Sequence, residues 1–351
     1  MKSFKYAIEM GGGFTNIYVK GQGLALKEPT LVAAEPTEDG YRVIALGQDA
    51  KKLVGKTKDN IEIFTPCVYG EHSNYEYSVV LLKHLLSKLN FKDYEDNVLF
   101  LTPCGITARE KDNILRVCEA VNMGYVELIP AVICSCVGEG RKIDGSTVNM
   151  VVNIGGTYTD IAVINMSNIL KGATLSIGGK SIDASIVNYL AYKENLVIGL
   201  PTAETLKNDV GSLFENDTLN MEITGVDAKT KSPKNVIMHS YELRYAIEPF
   251  YNEILRAIDT TINTLAPEVV TDIINNKILV CGGCAKMQGL DKYFRQNLKY
   301  PVQISDDPDY ITILGAGKLL SDPQLLNSLI KNLWGIASFF FILDNIALLT
   351  Q

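Results

Sequence analysis

The sequence predicts an α/β protein made of two related halves that face one ligand. Two observations carry that reading. The first is a repeat. Residues 8–19 read Ile-Glu-Met-Gly-Gly-Gly-Phe-Thr-Asn-Ile-Tyr-Val, and residues 152–163 read Val-Asn-Ile-Gly-Gly-Thr-Tyr-Thr-Asp-Ile-Ala-Val. They align without a gap, with Gly11/Gly155, Gly12/Gly156, Thr15/Thr159, Ile17/Ile161 and Val19/Val163 identical. Each copy is an apolar strand, a glycine turn, a hydroxyl residue and a second apolar strand. The second observation is that strands and amphipathic helices alternate after the first copy, and the pattern restarts at Val148 with the second. An offset of 144 residues between the copies points to internal duplication. Glycines let a backbone come close to a ligand, and successive free N–H groups form an anion-binding concavity. Thr15 and Thr159 are expected to add hydroxyl donors. One such hairpin alone is usually a plain turn. The pair suggests two phosphate loops serving one nucleotide.

The bulk numbers agree with a globular protein of two domains or one duplicated fold. The chain has 351 residues, 47% of them hydrophobic and 21% charged. Its net charge of −7 and the lack of a long basic run argue against nucleic-acid binding. Met1 to Tyr6 enters the first strand almost at once, without an apolar leader, so a cytoplasmic location is expected. Seven cysteines, an odd number scattered through strands and helices, suit a reducing compartment better than a disulfide framework. Two close pairs, Cys134/Cys136 and Cys281/Cys284, leave zinc ligation open beside the plainer reading of small buried residues.

Taken in order, Leu24 to Ala34 is extended, and residues 35–64 are turn-rich with a short helix over Gln48–Val54. Val79, Leu82, Leu85, Leu86 and Leu89 have helical spacing within Tyr75–Leu89. Val98–Pro103 reads as a buried strand. Thr107 with Glu110 forms a capping box for a helix running to about Asn122, where Gly124 is expected to end it. Val126–Ile129 is a strand, and Pro130–Val137 a helix ending at Gly138. In the second half, helices are expected over Ser181–Tyr192, Thr202–Val210, Tyr241–Leu265 and Ile311–Leu320. Residues 212–240 form a small sheet or loop excursion. Ile278–Val280 and Val302–Ile304 are strands, the first followed by the turn Cys281-Gly282-Gly283-Cys284.

Several runs resemble the MreB family of bacterial actins. They are Ile17-Tyr18-Val19-Lys20-Gly21 with Glu28-Pro29, Leu46-Gly47-Gln48-Asp49-Ala50, Pro103-Cys104-Gly105-Ile106-Thr107, Thr159-Asp160-Ile161-Ala162-Val163 and Ile177-Gly178-Gly179 with Asp183. Ile198-Gly199 with Thr202-Ala203-Glu204, and Leu265-Ala266-Pro267-Glu268, belong to the same pattern, which covers roughly residues 6–320. The resemblance implies an actin-like fold of duplicated ribonuclease-H-like domains, two lobes with a nucleotide cleft between them. The lobes would be residues 1–143 plus 318–351, and residues 144–317, with insert subdomains about 32–64 and 179–240. It also implies ATP and Mg²⁺ as cofactors, a homopolymer filament, paralogous MreB-like subunits as further partners, and a peripheral position at the inner face of the cell membrane.

The site residues carry over as follows. Gly11, Gly12, Gly13, Phe14 and Thr15 match the first phosphate loop; Gly155, Gly156, Thr157, Tyr158 and Thr159 match the second. Gly282, Gly283 and Cys284 match the third glycine turn. Glu204 and Lys207 match residues flanking base and ribose, and Gly178, Gly179 and Asp183 a turn and helix start in the second lobe. Departures stand beside these matches. Glu9 replaces the family's metal-binding Asp, Asn153 replaces the Asp before the second turn, and Thr157 its third glycine. Ala131 stands where the family has a water-orienting Glu. Phosphoryl transfer to water needs a metal on the phosphates and a group that orients the water. Ala131 and Asn153 supply neither, so no catalytic set is intact and hydrolysis is expected to be weakened. Glu127 or Glu139 is the alternative for orienting the water.

Three function classes stay open: a polymer-forming bacterial actin, a pseudo-ATPase copolymerising with active paralogues, and an actin-fold small-molecule kinase. The last segment leaves the family pattern. Leu326, Leu329, Ile330, Leu333 and Trp334 share one helical face, and Phe339–Leu343 is apolar all round. The uncharged run Asn332–Leu343 is shorter than the roughly 20 residues that span a bilayer. A helix packed on the fold, a partner-binding tail and an interfacial membrane anchor all fit it.

Overall fold

A computed structural model describes residues 2–38, 40–56, 60–66 and 74–333. The first half runs β1 (Tyr6–Met10), β2 (Phe14–Val19), β3 (Gly23–Pro29), β4 (Val32–Thr37), β5 (Gly40–Leu46) and α1 (Gly47–Leu53). It continues with β6 (Glu62–Phe64), α2 (Tyr75–Ser87), β7 (Val98–Thr102), α3 (Ala108–Ala120), β8 (Val126–Pro130) and α4 (Ala131–Gly138). The second half opens with β9 (Asn149–Ile154), β10 (Thr159–Asn165), β11 (Asn168–Leu175), α5 (Gly179–Lys193), β12 (Leu196–Val197) and α6 (Leu200–Asp209). Then come β13 (Asn220–Asp227), β14 (Pro233–His239), α7 (Ser240–Ile262), α8 (Pro267–Asn276), β15 (Ile278–Cys281), α9 (Leu290–Asn297), β16 (Val302–Ile304) and α10 (Ile311–Ser321).

The two main sheets have the same order, β3-β2-β1-β7-β8 and β11-β10-β9-β15-β16. In each, the first strand pairs antiparallel with the second and parallel with a strand reached by a long crossover. The likeness read from twelve residues thus extends through both sheets. Two three-stranded sheets, β5-β4-β6 and β12-β13-β14, are inserted one into each half.

Strand alternation sorts the core into three layers. Tyr6, Ile8 and Met10 of β1 and Val98 and Phe100 of β7 face an outer core with α2 and α3. Met150, Val152 and Ile154 of β9 and Ile278 and Val280 of β15 face a second outer core with α5, α7 and α9. The opposite strand faces, Ala7, Leu99, Leu101, Val151, Ala162, Leu279 and Cys281, all meet in one middle layer around α4 and α10. Seven of the eight residues of α4 are buried, as its uniformly apolar sequence demands.

Within that middle layer α4 and α10 touch backbone to backbone. A Cβ at Gly315 would lie 1.8 Å from the Cys134 carbonyl oxygen, and one at Gly138 would lie 2.1 Å from that of Ile311. Gly317 gives the same room to the Tyr18 ring. The Ser135 and Thr312 hydroxyls bond at 2.9 Å beside the crossing. The expected boundary at 317/318 falls inside α10.

The capping box at Thr107 is present: Glu110 N–H donates to Thr107 Oγ1 at 3.2 Å and Thr107 N–H to Glu110 Oε2 at 2.8 Å. The end of that helix differs from expectation. Asn122, with φ 59°, makes the left-handed turn, while Met123 N–H and Asn122 N–H return to Cys118 and Glu119. Gly124 serves packing instead, since a Cβ there would lie 2.9 Å from the Asp96 carbonyl. Elements without a sequence signal include β5, β6, β11, β12, α8 and α9. Half-exposed β11 alternates weakly, and α8 fully buries one residue, Ile273.

Residues 323–333 are helical, and Leu326 and Leu329 are buried in the middle layer with Leu325, Ile330 and Leu333 against it. The packed reading therefore applies to 325–333, while Trp334 and Phe339–Leu343 lie outside the described residues. Gly315→Ala is expected to cost about 1–3 kcal/mol or more, because the helices cannot separate without moving both sheets. Urea unfolding measures it; a loss within error would show that the crossing is compliant.

Candidate functional site

Glycines at the ends of β1 and β9 shape the site. In the first turn Gly11 N–H donates to the Phe14 carbonyl at 3.0 Å; in the second, Gly155 N–H donates to that of Tyr158 at 2.9 Å. The same closure on both sides leaves the N–H groups of Gly12, Gly13, Gly156 and Thr157 without a hydrogen bond among the described residues. The turns meet across the lobes. A Cβ at Gly12 would lie 1.6 Å from Thr157 Oγ1, and one at Gly156 would lie 3.0 Å from Gly13 N. Gly13 has open space in front of it.

Helix α5 begins directly behind the second turn. Gly179 and Lys180 N–H donate to the Gly155 and Gly156 carbonyls at 3.0 and 2.8 Å. Gly178 packs on the same turn, leaving no room for a Cβ. The third turn follows β15. Gly282 takes φ 89°, where a side chain would strike Asn153 Oδ1 and the Ile154 carbonyl. Cys284 Sγ lies 3.4 Å from the Gly155 carbonyl, and burial pushes its thiol up to about 11.

These turns border a cleft of about 850 Å³ between the lobes. Glu9, Gly11, Gly12, Gly13 and Phe14 line it from the first lobe. Asn153, Gly155, Gly156, Gly179, Asp183, Glu204, Lys207, Gly282, Gly283 and Cys284 line it from the second. Other expected site residues sit behind this surface. Thr15 and Thr159 are fully buried. Thr159 Oγ1 donates to the Ile177 carbonyl at 2.8 Å, and Thr15 Oγ1 bonds Thr30 Oγ1 at 2.9 Å, so both hydroxyls brace the turns instead of facing the cleft. Thr157 faces Gly12 across the cleft, Tyr158 closes the second turn with its carbonyl, Gly178 packs against that turn, and Ala131 starts α4, buried.

Charge in the cleft is arranged in pairs. Lys207 Nζ donates to Asp183 Oδ1 at 2.7 Å and to the Gly179 carbonyl at 3.2 Å, both side chains being only 10% exposed. Burial pushes the Asp183 carboxyl up and the Lys207 ammonium pulls it partly back. Lys51 reaches Glu204 across the mouth at 3.6 Å, a half-exposed bridge of small worth. Lys180 bonds the Thr65 hydroxyl, also across the mouth. At the floor, burial pushes the Glu9 carboxyl up while Asn16 donates to it. Glu127 accepts from the Tyr125 hydroxyl and Glu139 from Gln303, and neither lines the cleft.

Three of the four paired cysteines belong to packing, and Cys284 lines the cleft. Cys134, Cys136 and Cys281 are fully buried in the middle layer, and burial raises the Cys136 and Cys281 thiols to about 12. Among the described residues no cluster of His, Cys, Asp and Glu could hold a metal on its own. Sequence reasoning missed Asn16, Lys27, Lys51, Lys180 and Lys286, all on the cleft wall. For Asn16 the tight hairpin, which puts it opposite Glu9, was a partial signal; Lys27 depends on the further register of β3.

A family profile described as MreB/Mbl protein matches residues 3–328. The chain belongs to the MreB/Mbl family. Over 323 residues it is 32% identical to the cell shape-determining protein Mbl of Bacillus subtilis (strain 168), spanning 91% of this chain and 96% of that one. MreB5 of Spiroplasma citri bound to AMPPNP has a TM-score of 0.86 at 28% identity, over 95% of this chain and 100% of that one. The MamK double helical filament, with a TM-score of 0.73 at 18% identity over 91% of this chain and 99% of that one, shares the fold. The fold is thus actin-like, as the sequence motifs implied.

Within this MreB-type cleft the Asp183–Lys207 pair makes a stability prediction. Lys207→Met strands a buried carboxylate and is expected to cost about 3–5 kcal/mol. Adding Asp183→Asn should restore most of the loss. Denaturant melts of the two single variants and the double variant measure the coupling; additive losses would show the pair is not one unit.

Proposed function

We propose that this chain binds ATP with Mg²⁺ between its lobes and polymerises into filaments that lie on the inner membrane face and control cell shape, with hydrolysis weakened. The observation that carries the reading is the matched pair of turns, closed by the same hydrogen bond and facing each other across the cleft. Relatives support it: Spiroplasma citri MreB5 has been solved with AMPPNP and with ADP, and the curated relatives are named cell shape-determining proteins.

The residues fit the cofactors. Unpaired amides of Gly12, Gly13, Gly156 and Thr157 suit phosphate oxygens, as do the ammonium groups of Lys27 and Lys180 beside the turns. The carboxylate of Glu9 and the unpartnered Asn16 Oδ1 suit a divalent cation or its waters. Glu204 and Lys207 line the cleft, and the family pattern assigns them to flank base and ribose. Bound Mg²⁺ would neutralise phosphate charge. At the two positions where the family pattern places groups that act on the metal and water, this chain has Ala131, with no polar side chain, and Asn153, with no charge. That favours a form that holds ATP longer than it cleaves it, and hence a second reading, a nucleotide-bound pseudo-ATPase copolymerising with active paralogues.

Calorimetry and phosphate release test this. A bulky residue at Gly12 would push Thr157 away, so Gly13→Leu is the cleaner variant: its side chain enters open cleft. Gly13→Leu should remove ATP affinity while leaving the melting temperature near that of the unmodified protein. Ala131→Glu with Asn153→Asp should raise phosphate release by about 10²–10⁴-fold. Turnover by the unmodified chain at the level of the double variant would refute the weakened-hydrolysis reading.

The membrane contact is assigned to residues 334–351. No helix among the described residues is long and apolar enough to cross a membrane. Because Leu326 and Leu329 are core residues, deletion from 325 would damage the fold. Deletion of 334–351 should release the protein from sedimenting liposomes and leave ATP binding intact. Unchanged liposome binding would move the contact elsewhere.

A further inference from the structure

A polar row crosses the floor of the cleft. Pairing of β1, β2 and β3 sets Glu9 opposite Asn16 and Asn16 opposite Lys27. All three line the cleft, on the strand faces that carry Ala7 and Tyr18 toward the middle layer. At the ~4.8 Å spacing of neighbouring strands, the row places an acid, an amide and a cation over roughly 10 Å.

Asn16 is the unexplained member. Its Nδ2 donates to Glu9 Oε2 at 2.9 Å, and the carboxylate fixes that orientation because it can only accept. The amide oxygen is thereby turned away. Asn16 is 6% exposed, and its Oδ1 is buried without a partner among the described residues. An unpaired buried acceptor costs about 1–3 kcal/mol, so a donor or cation is called for there. A phosphate offers neither. A hydrated divalent cation offers both, and an amide oxygen beside a carboxylate is an ordinary hard-oxygen donor set.

Lys27 ends the row differently. Its Nζ donates to the Tyr310 hydroxyl at 3.0 Å and lies 4.2 Å from the Tyr310 ring centre and 4.8 Å from that of Phe14. It forms no salt bridge among the described residues. The ammonium is held in an aromatic bracket beside the first phosphate turn, close enough for its charge to favour the ionised Glu9 carboxyl without a direct ion pair.

We propose that Asn16, together with Glu9, seats the water shell of the divalent cation that accompanies a polyphosphate, while Lys27 counters the phosphate charge at the other end of the row. The proposal rests on nucleotide binding as inferred above and adds two residues that read the ligand's charge pattern. Asn16 and Lys27 then make separable contributions. Asn16 matters only when the cation is present; Lys27 matters with or without it.

The test is calorimetric titration of the full chain with ATP, in Mg²⁺ and again in EDTA, for Asn16→Leu, Asn16→Asp and Lys27→Met. Asn16→Leu should weaken binding about 10–100-fold in Mg²⁺ and leave it unchanged in EDTA. Asn16→Asp, which adds a charged oxygen beside Glu9, should move the Mg²⁺ dependence the opposite way. Lys27→Met should weaken binding about tenfold in both conditions, as loss of a charge-assisted contact does. Manganese in place of magnesium, read by its paramagnetic resonance signal in the nucleotide complex, gives a readout independent of affinity. Equal losses with and without Mg²⁺ for Asn16→Leu, or losses of the same sign for Leu and Asp, would make Asn16 a structural residue and overturn its assignment. Unaltered binding by Lys27→Met would overturn that of Lys27. Failure of the unmodified chain to bind ATP would overturn nucleotide binding itself, a distinct result.

Discussion

The backbone contact between α4 and α10 is the constraint on which the rest depends. Two sheets share one middle layer, and that layer is only as thick as two crossing helices whose glycines, Gly138 and Gly315, leave no Cβ between them. Close-packed interiors do not stretch, so this contact fixes how far apart the sheets stand. The strands that face the layer answer with small side chains, Ala7 and Ala162, where the helices pass. With the sheets so spaced, the turns after β1 and β9 project toward each other. The cleft then opens beyond the carboxyl ends of β1, β9 and β15, where open α/β sheets leave a crevice.

That spacing also decides which glycines are needed and why. Gly12 and Gly156 are small because the opposing turn is there, Thr157 on one side and Gly13 on the other. Gly282 is a glycine for a different reason, a positive φ beside Asn153 and Ile154. Among the glycines lining the cleft, Gly13 looks into open space, and it is the position where a ligand rather than the protein would feel a side chain. Glycines alike in sequence thus carry unlike duties.

Much of this was legible in the sequence, for physical reasons that can be named. The duplication was visible because both copies must build a strand, a tight turn and a strand, and few residues do that. Strands buried on both faces, such as Val98–Thr102, and the long amphipathic helix Ser240–Ile262 carried strong apolar patterns. Helix α8 and strand β11 did not, because each buries little. Thr15 and Thr159 misled because a hydroxyl near a glycine turn serves ligand or fold equally well; the bonds to Thr30 and Ile177 show it serves the fold. Asn16 and Lys27 escaped notice because their role depends on register across three strands, which a linear motif does not display.

Register also reframes the departures from the family pattern. Read singly, Glu9 is an acid one methylene too long for its place. In the structure its carboxylate accepts from Asn16 Nδ2 at 2.9 Å, and the Asn16 Oδ1 is left without a partner among the described residues. No comparable partner stands by Asn153, whose amide oxygen lies against Gly282, or by Ala131, which is closed into the helix layer. In the proposed reading the first lobe keeps an acid and an amide oxygen at the floor of the cleft, while Asn153 and Ala131 bring no charge. Binding needs the floor; cleavage needs all three. On that contrast rests the proposal of a chain that holds a nucleotide rather than spends it.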